Sequence, residues 1–146
     1  MAIHFIICFN KQGILRLGRW FQSSGHSLQD KNSLAQILKL IMSRDSRTQS
    51  NIIDFDDRTK LVYRRYAGLY FVMGVSLEED GLLYLAHIQL FVEVLDLFFG
   101  NVCELDILFN FYKAYMVMDE MFIGGELRET SKELLLDRLT QLEKLP

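Results

Sequence analysis

Apolar positions along the chain follow two rhythms, and the change between them falls near residue 80. In the first half they form short runs rich in β-branched and aromatic residues, the pattern of strands. Residues 3–9 make the first run, and Asn10-Lys11-Gln12-Gly13 closes it with a turn signal. Residues 14–21 make the second, with Arg16 and Arg19 interrupting apolar positions. Two such runs joined by a short Gly-containing loop predict a β-hairpin. The polar stretch 23–32 reads as loop. Leu34, Ile37, Leu38 and Ile41 then recur at helical spacing, which predicts an amphipathic helix over 33–41, ended by polar residues 43–50. Residues 52–55 open a third strand and Asp56-Asp57 turn the chain. Runs at 60–66 and 69–75, separated by Gly68, predict two more. The order β-β-α-β-β-β is a meander, so the sheet is expected to be largely antiparallel.

In the second half the spacing becomes helical throughout. Leu85, Ile88, Val92, Leu95 and Phe99 mark one face of a helix over 82–99, yet Leu90, Phe91, Val94 and Leu97 lie elsewhere around it. A helix apolar nearly all round is buried on more than one side. A small domain has little interior for it, so part of that surface is expected to meet another chain or a ligand. Gly100-Asn101 supplies residue types that accept a left-handed C-terminal position. A second helix is expected over 104–122, broken by Gly124-Gly125. Thr130-Ser131-Lys132-Glu133 has the form of a capping box opening a third, whose apolar side is Leu135, Leu139 and Leu142.

Composition narrows the class. The 146 residues fit one α+β domain over 1–146, with no internal repeat or linker. Half are hydrophobic and 24% charged, which excludes disorder, and the net charge of −3 argues against binding nucleic acid through bulk charge. The first residues lack a basic segment before a cleavable apolar stretch, and no window of about 18 apolar residues is free of charges. A cytosolic protein is therefore expected. Cys8 and Cys103, each among apolar neighbours, read as two buried thiols in a reducing compartment.

Candidate chemistry is sparse. His4, His26 and His87 do not form a metal-ligand spacing, and His4 and His87 read as packing or surface residues. Nucleophile-elbow, phosphate-loop and dinucleotide motifs are missing. Glu104, Asp106, Asp119 and Glu120 share the second expected helix, where solvated faces or ion pairs suit them better than acid–base work. The aromatic run Phe109, Phe111, Tyr112, Tyr115 reads as core. Neither an enzyme nor a cofactor is expected. Arg16, Arg19, Arg64 and Arg65 read either as outward strand charges or as a site for an acidic group on a partner. Glu78-Glu79-Asp80-Gly81-Leu82-Leu83 matches an acidic-dileucine sorting signal, but here it reads as a turn running into a buried helix, a chance match.

Longer motifs carry a resemblance. Tyr63-Arg64-Arg65-Tyr66-Ala67-Gly68-Leu69-Tyr70-Phe71 is similar to the signature strand pair of the small (sigma) subunits of clathrin adaptor complexes. So are Phe91-Val92-Glu93-Val94-Leu95 and Asn101-Val102-Cys103-Glu104-Leu105-Asp106, and then Phe109-Asn110-Phe111-Tyr112-Lys113, Asp119-Glu120-Met121-Phe122 and Gly125-Glu126. The likeness runs from the first strand to the last helix. Arg-Arg-Tyr-Ala-Gly and Phe-Tyr-Lys resemble the endocytic, plasma-membrane adaptor. The Phe-Asn-Lys-Gln-Gly opening and the Phe-Val-Met-Gly-Val strand resemble fungal versions. Residues 22–31 depart from the family.

The resemblance implies a longin-like fold: a five-stranded antiparallel sheet with helices on both faces. It implies no enzymatic activity and a heterotetramer with two large adaptin subunits and a medium subunit. Clathrin and membrane would be met through that complex, at plasma-membrane coated pits. It further implies a site for acidic-dileucine signals in the cytosolic tails of membrane cargo. The two leucines would meet Tyr66, Ala67, Leu69, Val92, Val102, Leu105 and Ile107, with Asn101 at the edge. Arg16 would face the acidic residue beside a basic patch on a large subunit. Two other readings stay open: the sigma subunit of the Golgi/endosomal adaptor, and a purely structural longin-like subunit. Vesicle-fusion proteins share the fold, but would add a coiled coil and an anchor, and neither pattern occurs in these residues.

Overall fold

The apolar runs of the first half pair into one antiparallel sheet of strand order β2-β1-β5-β4-β3. The computed structural model describes residues 2–21, 31–44 and 50–145. Its elements are β1 (Ile3–Asn10), β2 (Leu15–Trp20), α1 (Lys31–Met42), β3 (Ile52–Asp54), β4 (Thr59–Tyr66) and β5 (Leu69–Ser76). The second half adds α2 (Gly81–Phe99), α3 (Glu104–Phe109), α4 (Phe111–Met121), the short hairpin β6 (Phe122–Ile123) and β7 (Glu126–Leu127), and α5 (Lys132–Glu143). Most of the loop expected over 23–32 and of the polar stretch 43–50 lies outside the described residues, as does His26. Lys31 and Asn32, expected in the loop, belong to α1.

Each face of the sheet carries its own core. Phe5, Ile7, Phe9, Leu61, Tyr63 and Val72 pack with Ile37 and Ile41 of α1. The opposite face, with Ile6, Cys8, Val62, Leu69, Phe71 and Met73, packs with α2 and, beyond it, α4 and α5. Side chains alternate strictly along a strand, so Ile3 ought to share Phe5's face. Instead it joins Ile6, because the β1–β5 register shifts between Ile3 and Phe5. The residue at this bulge is His4. Its ring nitrogens lie 2.9 Å from the Thr59 hydroxyl and 3.0 Å from the Ser76 hydroxyl, which satisfies a fully buried threonine.

α2 is the central helix of the second layer. Gly81, Tyr84, Ile88, Phe91, Val92, Val94 and Leu95 are buried. By length and composition alone it is apolar enough to cross a membrane. Its buried positions instead face β4 and β5 on one side and α4 and α5 on others. Asp80 caps its start, accepting from the Leu82 N–H. Leu82 and Leu83 face outward and are 69% and 48% exposed, since Gly81 and Tyr84 take the inward side of that first turn. The acidic-dileucine match therefore does not run into buried positions as expected, although its leucines are locked in helical backbone.

The second expected helix is two. Asn110, at φ −128° and ψ 45°, interrupts it, separating α3 from α4. The exposed side chains of Leu105, Leu108, Phe109, Phe111 and Tyr112 cluster in sequence around this break, so much of the aromatic run is surface and not core. α5 starts one residue later than expected. Ser131, not Thr130, is its cap, so Glu133 cannot close the reciprocal box. Gly124-Gly125 does end a helical segment, but as the tip of the unforeseen β6–β7 hairpin. That hairpin reaches back to the first strand. The Ile3 N–H donates to the Gly125 carbonyl at 2.9 Å and the Ala2 N–H to the Glu126 carboxylate at 3.2 Å.

Candidate functional site

The residues implied by the resemblance come from four stretches of chain. Tyr66 ends β4, Ala67 turns the chain and Leu69 opens β5. Val92 lies within α2, Asn101 and Val102 connect α2 to α3, and Leu105 and Ile107 stand on α3. Arg16 is on the edge strand β2.

One acidic residue ties most of these stretches together. Gly100 ends α2 in the left-handed conformation at φ 69°, as its residue type predicts, and Asn101 follows at φ 67°. The Asp96 carbonyl accepts from both of their N–H groups. Its carboxylate accepts from the Val102 N–H at 3.0 Å, folding the connector back onto the core. The Tyr66 hydroxyl also donates to Asp96, and this hydrogen bond holds the phenol above the ordinary tyrosine range. Asp96 thus fixes the β4 end, the α2 end and the connector relative to one another.

Burial sorts the implied residues into a floor and a rim. Leu69, Val92, Val102 and Ile107 belong to one buried cluster, with Tyr66 packed at its margin. Val92 is 1% exposed and Ile107 is not exposed, so in the isolated chain the floor is closed to solvent. Ala67 and Asn101 are exposed, and Leu105 is 60% exposed. Ala67 adopts φ 51°, which a larger β-branched residue would hold only under strain.

The basic residues take different places. Arg19 donates through Nη2 to both oxygens of Asp119, at 2.9 and 3.1 Å, and lies over the Tyr115 ring. Arg65 lies over the Tyr70 ring. Arg16 donates through Nε to Oε2 of Glu104 at 2.8 Å, and the same oxygen accepts from Asn10 Nδ2 at 2.8 Å. These two hydrogen bonds, Asn10's first, hold the Glu104 carboxyl below the usual carboxylate range. Asn10 faces Leu69 across the β1–β5 ladder, so Arg16 is linked through Glu104 and Asn10 to the same β5 end as the floor. Asp96, Asn10 and Glu104 were invisible as a set in the sequence. Glu104 is 88 positions from Arg16, and no local spacing signals that pairing.

Cys8 is buried, and burial pushes its thiol far above its ordinary range. Cys103 is exposed, contrary to the expectation of two buried thiols. It precedes α3, where its N–H and Sγ both point at the Asp106 carboxylate, at 3.0 and 3.4 Å, and not into the core. Two surface clefts of about 340 and 330 Å³ lie elsewhere, one beside Arg128 and Arg138 and one between α1 and Phe55, and neither includes an implied residue. Among the described residues, no three His, Cys, Asp or Glu side chains gather as a metal site.

Known proteins fit this architecture over its whole length. The chain is 64% identical to the AP-2 complex subunit sigma of Saccharomyces cerevisiae, covering 99% of each protein. It is 49% identical to the protein of the same name in Aspergillus fumigatus, again over 99% of each. Against the human AP-1 complex subunit sigma-3 the identity is 44%, over 98% of this chain and 91% of that one. Among structures, a chain of the "Homology model of the full-length AP-3 complex in a stretched open conformation" superposes with a TM-score of 0.73 at 31% identity, over 97% of this chain and 94% of the other. The family model described as "Clathrin adaptor complex small chain" matches residues 2–146. The chain therefore belongs to the clathrin adaptor complex small-chain family.

Proposed function

We propose that the chain is the small subunit of a heterotetrameric adaptor of the AP-2 type, acting in clathrin-mediated endocytosis. It would assemble with two large subunits and a medium one at the cytosolic face of the plasma membrane. The observation that carries the choice of adaptor is the 64% identity to a fungal AP-2 sigma subunit, against 44% to an AP-1 sigma subunit. Exposed Leu97, Leu108, Phe109, Phe111 and Tyr112 give it apolar surface suited to assembly with other subunits. Its role is binding, not catalysis.

Within that complex the chain recognises acidic-dileucine signals in cargo tails. Ala67, Asn101 and Leu105 form the rim the leucines reach first. Tyr66, Leu69, Val92, Val102 and Ile107 form the wall and floor beneath, and Arg16 meets the acidic residue. Burying two leucines contributes roughly 3–6 kcal/mol, at ~1.5–3 each. An exposed Arg–carboxylate pair adds about 0.2–1 kcal/mol. Micromolar binding needs about 8 kcal/mol before ordering costs, so a single signal binds weakly and recruitment depends on several membrane contacts at once.

The test is acidic-dileucine peptide binding to the reconstituted complex, wild type against Leu105→Ser. Val92→Asp puts a charge on the floor but also into the core, where an unpaired charge endangers folding. Leu105 is 60% exposed, so its truncation spares the core. Lost binding with normal assembly on gel filtration supports the reading. Unchanged binding by both variants in assembled complexes would remove the site from this chain, leaving a structural role.

A further inference from the structure

Of the two β2 arginines, Arg19 spends one terminal nitrogen, Nη2, on Asp119 and lies over an aromatic ring. Arg16 is held differently. Its link to Glu104 uses Nε, on the inner edge of the guanidinium. Among the described residues its two terminal nitrogens make no polar contact. Glu104 is itself fixed. Asn10 is buried, its Oδ1 accepts the N–H groups of Gln12 and Ile14 at 3.0 and 2.9 Å, and its Nδ2 therefore points one way, at Glu104.

We propose that Glu104, oriented by Asn10, is a built-in counter-ion that presents the outer edge of Arg16 to the carboxylate of an acidic-dileucine signal and limits the strength of that contact. This rests on the cargo-binding reading above. A guanidinium has five N–H donors in a planar fork, and one occupied Nε leaves the Nη pair free to grip a carboxylate with two parallel bonds. Glu104 fixes the plane of that fork. Its negative charge also cancels that of Arg16, so an arriving acid meets directed hydrogen bonds but little net charge. The signal's acidic residue then adds geometric selectivity without tight binding, and release stays easy. Glu104 is a positioning residue, acting on cargo only through Arg16.

Two peptides separate this role from a merely structural one: an acidic-dileucine peptide and its version with Gln at the acidic position. Both are titrated into the reconstituted complex carrying wild-type chain, Glu104→Gln or Arg16→Ala, at low and high salt. In Glu104→Gln the substituted amide oxygen still accepts from Asn10 and Arg16, but the opposing charge is gone. We expect Glu104→Gln to raise the preference for the acidic peptide roughly twofold to fivefold at low salt, the gain of one unmasked exposed pair. Its acidic-peptide affinity should fall more steeply with salt than wild type, while the neutral peptide binds unchanged. An unaltered or reduced acid preference in Glu104→Gln, with Arg16→Ala abolishing that preference, would overturn the counter-ion role alone. An acid preference untouched by Arg16→Ala would overturn the acid contact itself, and the counter-ion role with it.

Discussion

Replacing Gly74 by alanine tests the packing on the α1 face of the sheet. Gly74 faces Phe5 across the β1–β5 ladder, and Phe5 in turn faces Trp20 on β2. A Cβ at Gly74 would sit 2.2, 2.4 and 2.7 Å from three atoms of the Phe5 ring. Carbon contacts settle near 3.5–4.0 Å, so the ring must retreat by about 1.3 Å or more. It has nowhere free to go, because Phe5 is fully buried in the cluster with Ile37 and Ile41. Overpacking of this kind costs about 1–3 kcal/mol. The lower entropy of an unfolded alanine returns about 0.4–1 kcal/mol only where the backbone and space allow it. A net loss near 2 kcal/mol is expected, a shift of about 1 M in the urea midpoint for a slope of roughly 2 kcal/mol/M. Trp20 is the sole tryptophan and packs on the same cluster, so its fluorescence reports both the midpoint and the displaced ring. Phe5→Leu in the Gly74→Ala background should recover part of the loss, a coupling between touching residues. A Gly74→Ala chain with unchanged midpoint and unchanged Trp20 emission would refute this account.

Three further outcomes follow from the structure. Tyr115→Phe removes a hydroxyl that accepts from the Gly18 N–H at 2.9 Å and donates to the Gly18 carbonyl at 3.2 Å; a loss of about 1–2 kcal/mol and faster exchange of the Gly18 amide are expected by denaturation and hydrogen exchange. In native protein iodoacetamide should modify Cys103 and spare Cys8, with both reacting after denaturation, as read by mass spectrometry; equal native rates would contradict the burial. The Glu93 carboxyl is held below its usual range first by Lys132 and then by Gln89, so its contribution to stability is present above pH ~4.5 and is lost as pH falls through the lower folded value. Lys132→Met should move the Glu93 carbon titration upward in NMR and flatten that part of the acid slope; an unmoved midpoint would show that the Lys132–Glu93 bridge is not formed in solution.

The five strands of the main sheet were legible because their apolar runs are short and bounded by turn residues, and the two cores they build demand that patterning; β6 and β7, two residues each, are too short to show one. The Gly100-Asn101 stop was legible for the same kind of local reason, since left-handed backbone selects those residue types. Periodicity failed where one backbone angle decides. Nothing in the spacing around Asn110 distinguishes a continuous helix from α3 and α4 at a break, because the apolar stripe resumes after it. It failed again at His4, where a bulge shifts the strand's phase without changing its composition. The implied cargo site was readable only as a likeness of motifs. What the fold adds is its closure: Val92 and Ile107, implied as contacts of the two leucines, are buried in the isolated chain. The polar residues that brace it, Asp96 and the Asn10–Glu104–Arg16 set, join positions far apart in sequence, and such pairs leave no local trace.

The attachment of the first strand to the β6–β7 hairpin bears on how the chain is made. β1 has β2 beside it early in synthesis, but its other neighbour is β5, about 60 to 70 positions later, and β1 lies between the two. Even then Ala2 and Ile3 wait for Glu126 and Gly125, 124 positions on in the case of Ala2. Contacts this distant close slowly, because the intervening chain must be ordered first. During translation the strand emerging first is thus among the last to be secured, with Ile3, Ile6 and Cys8 on the face that awaits the second-half helices meanwhile. That interval is when a partner subunit or a chaperone has most to shield.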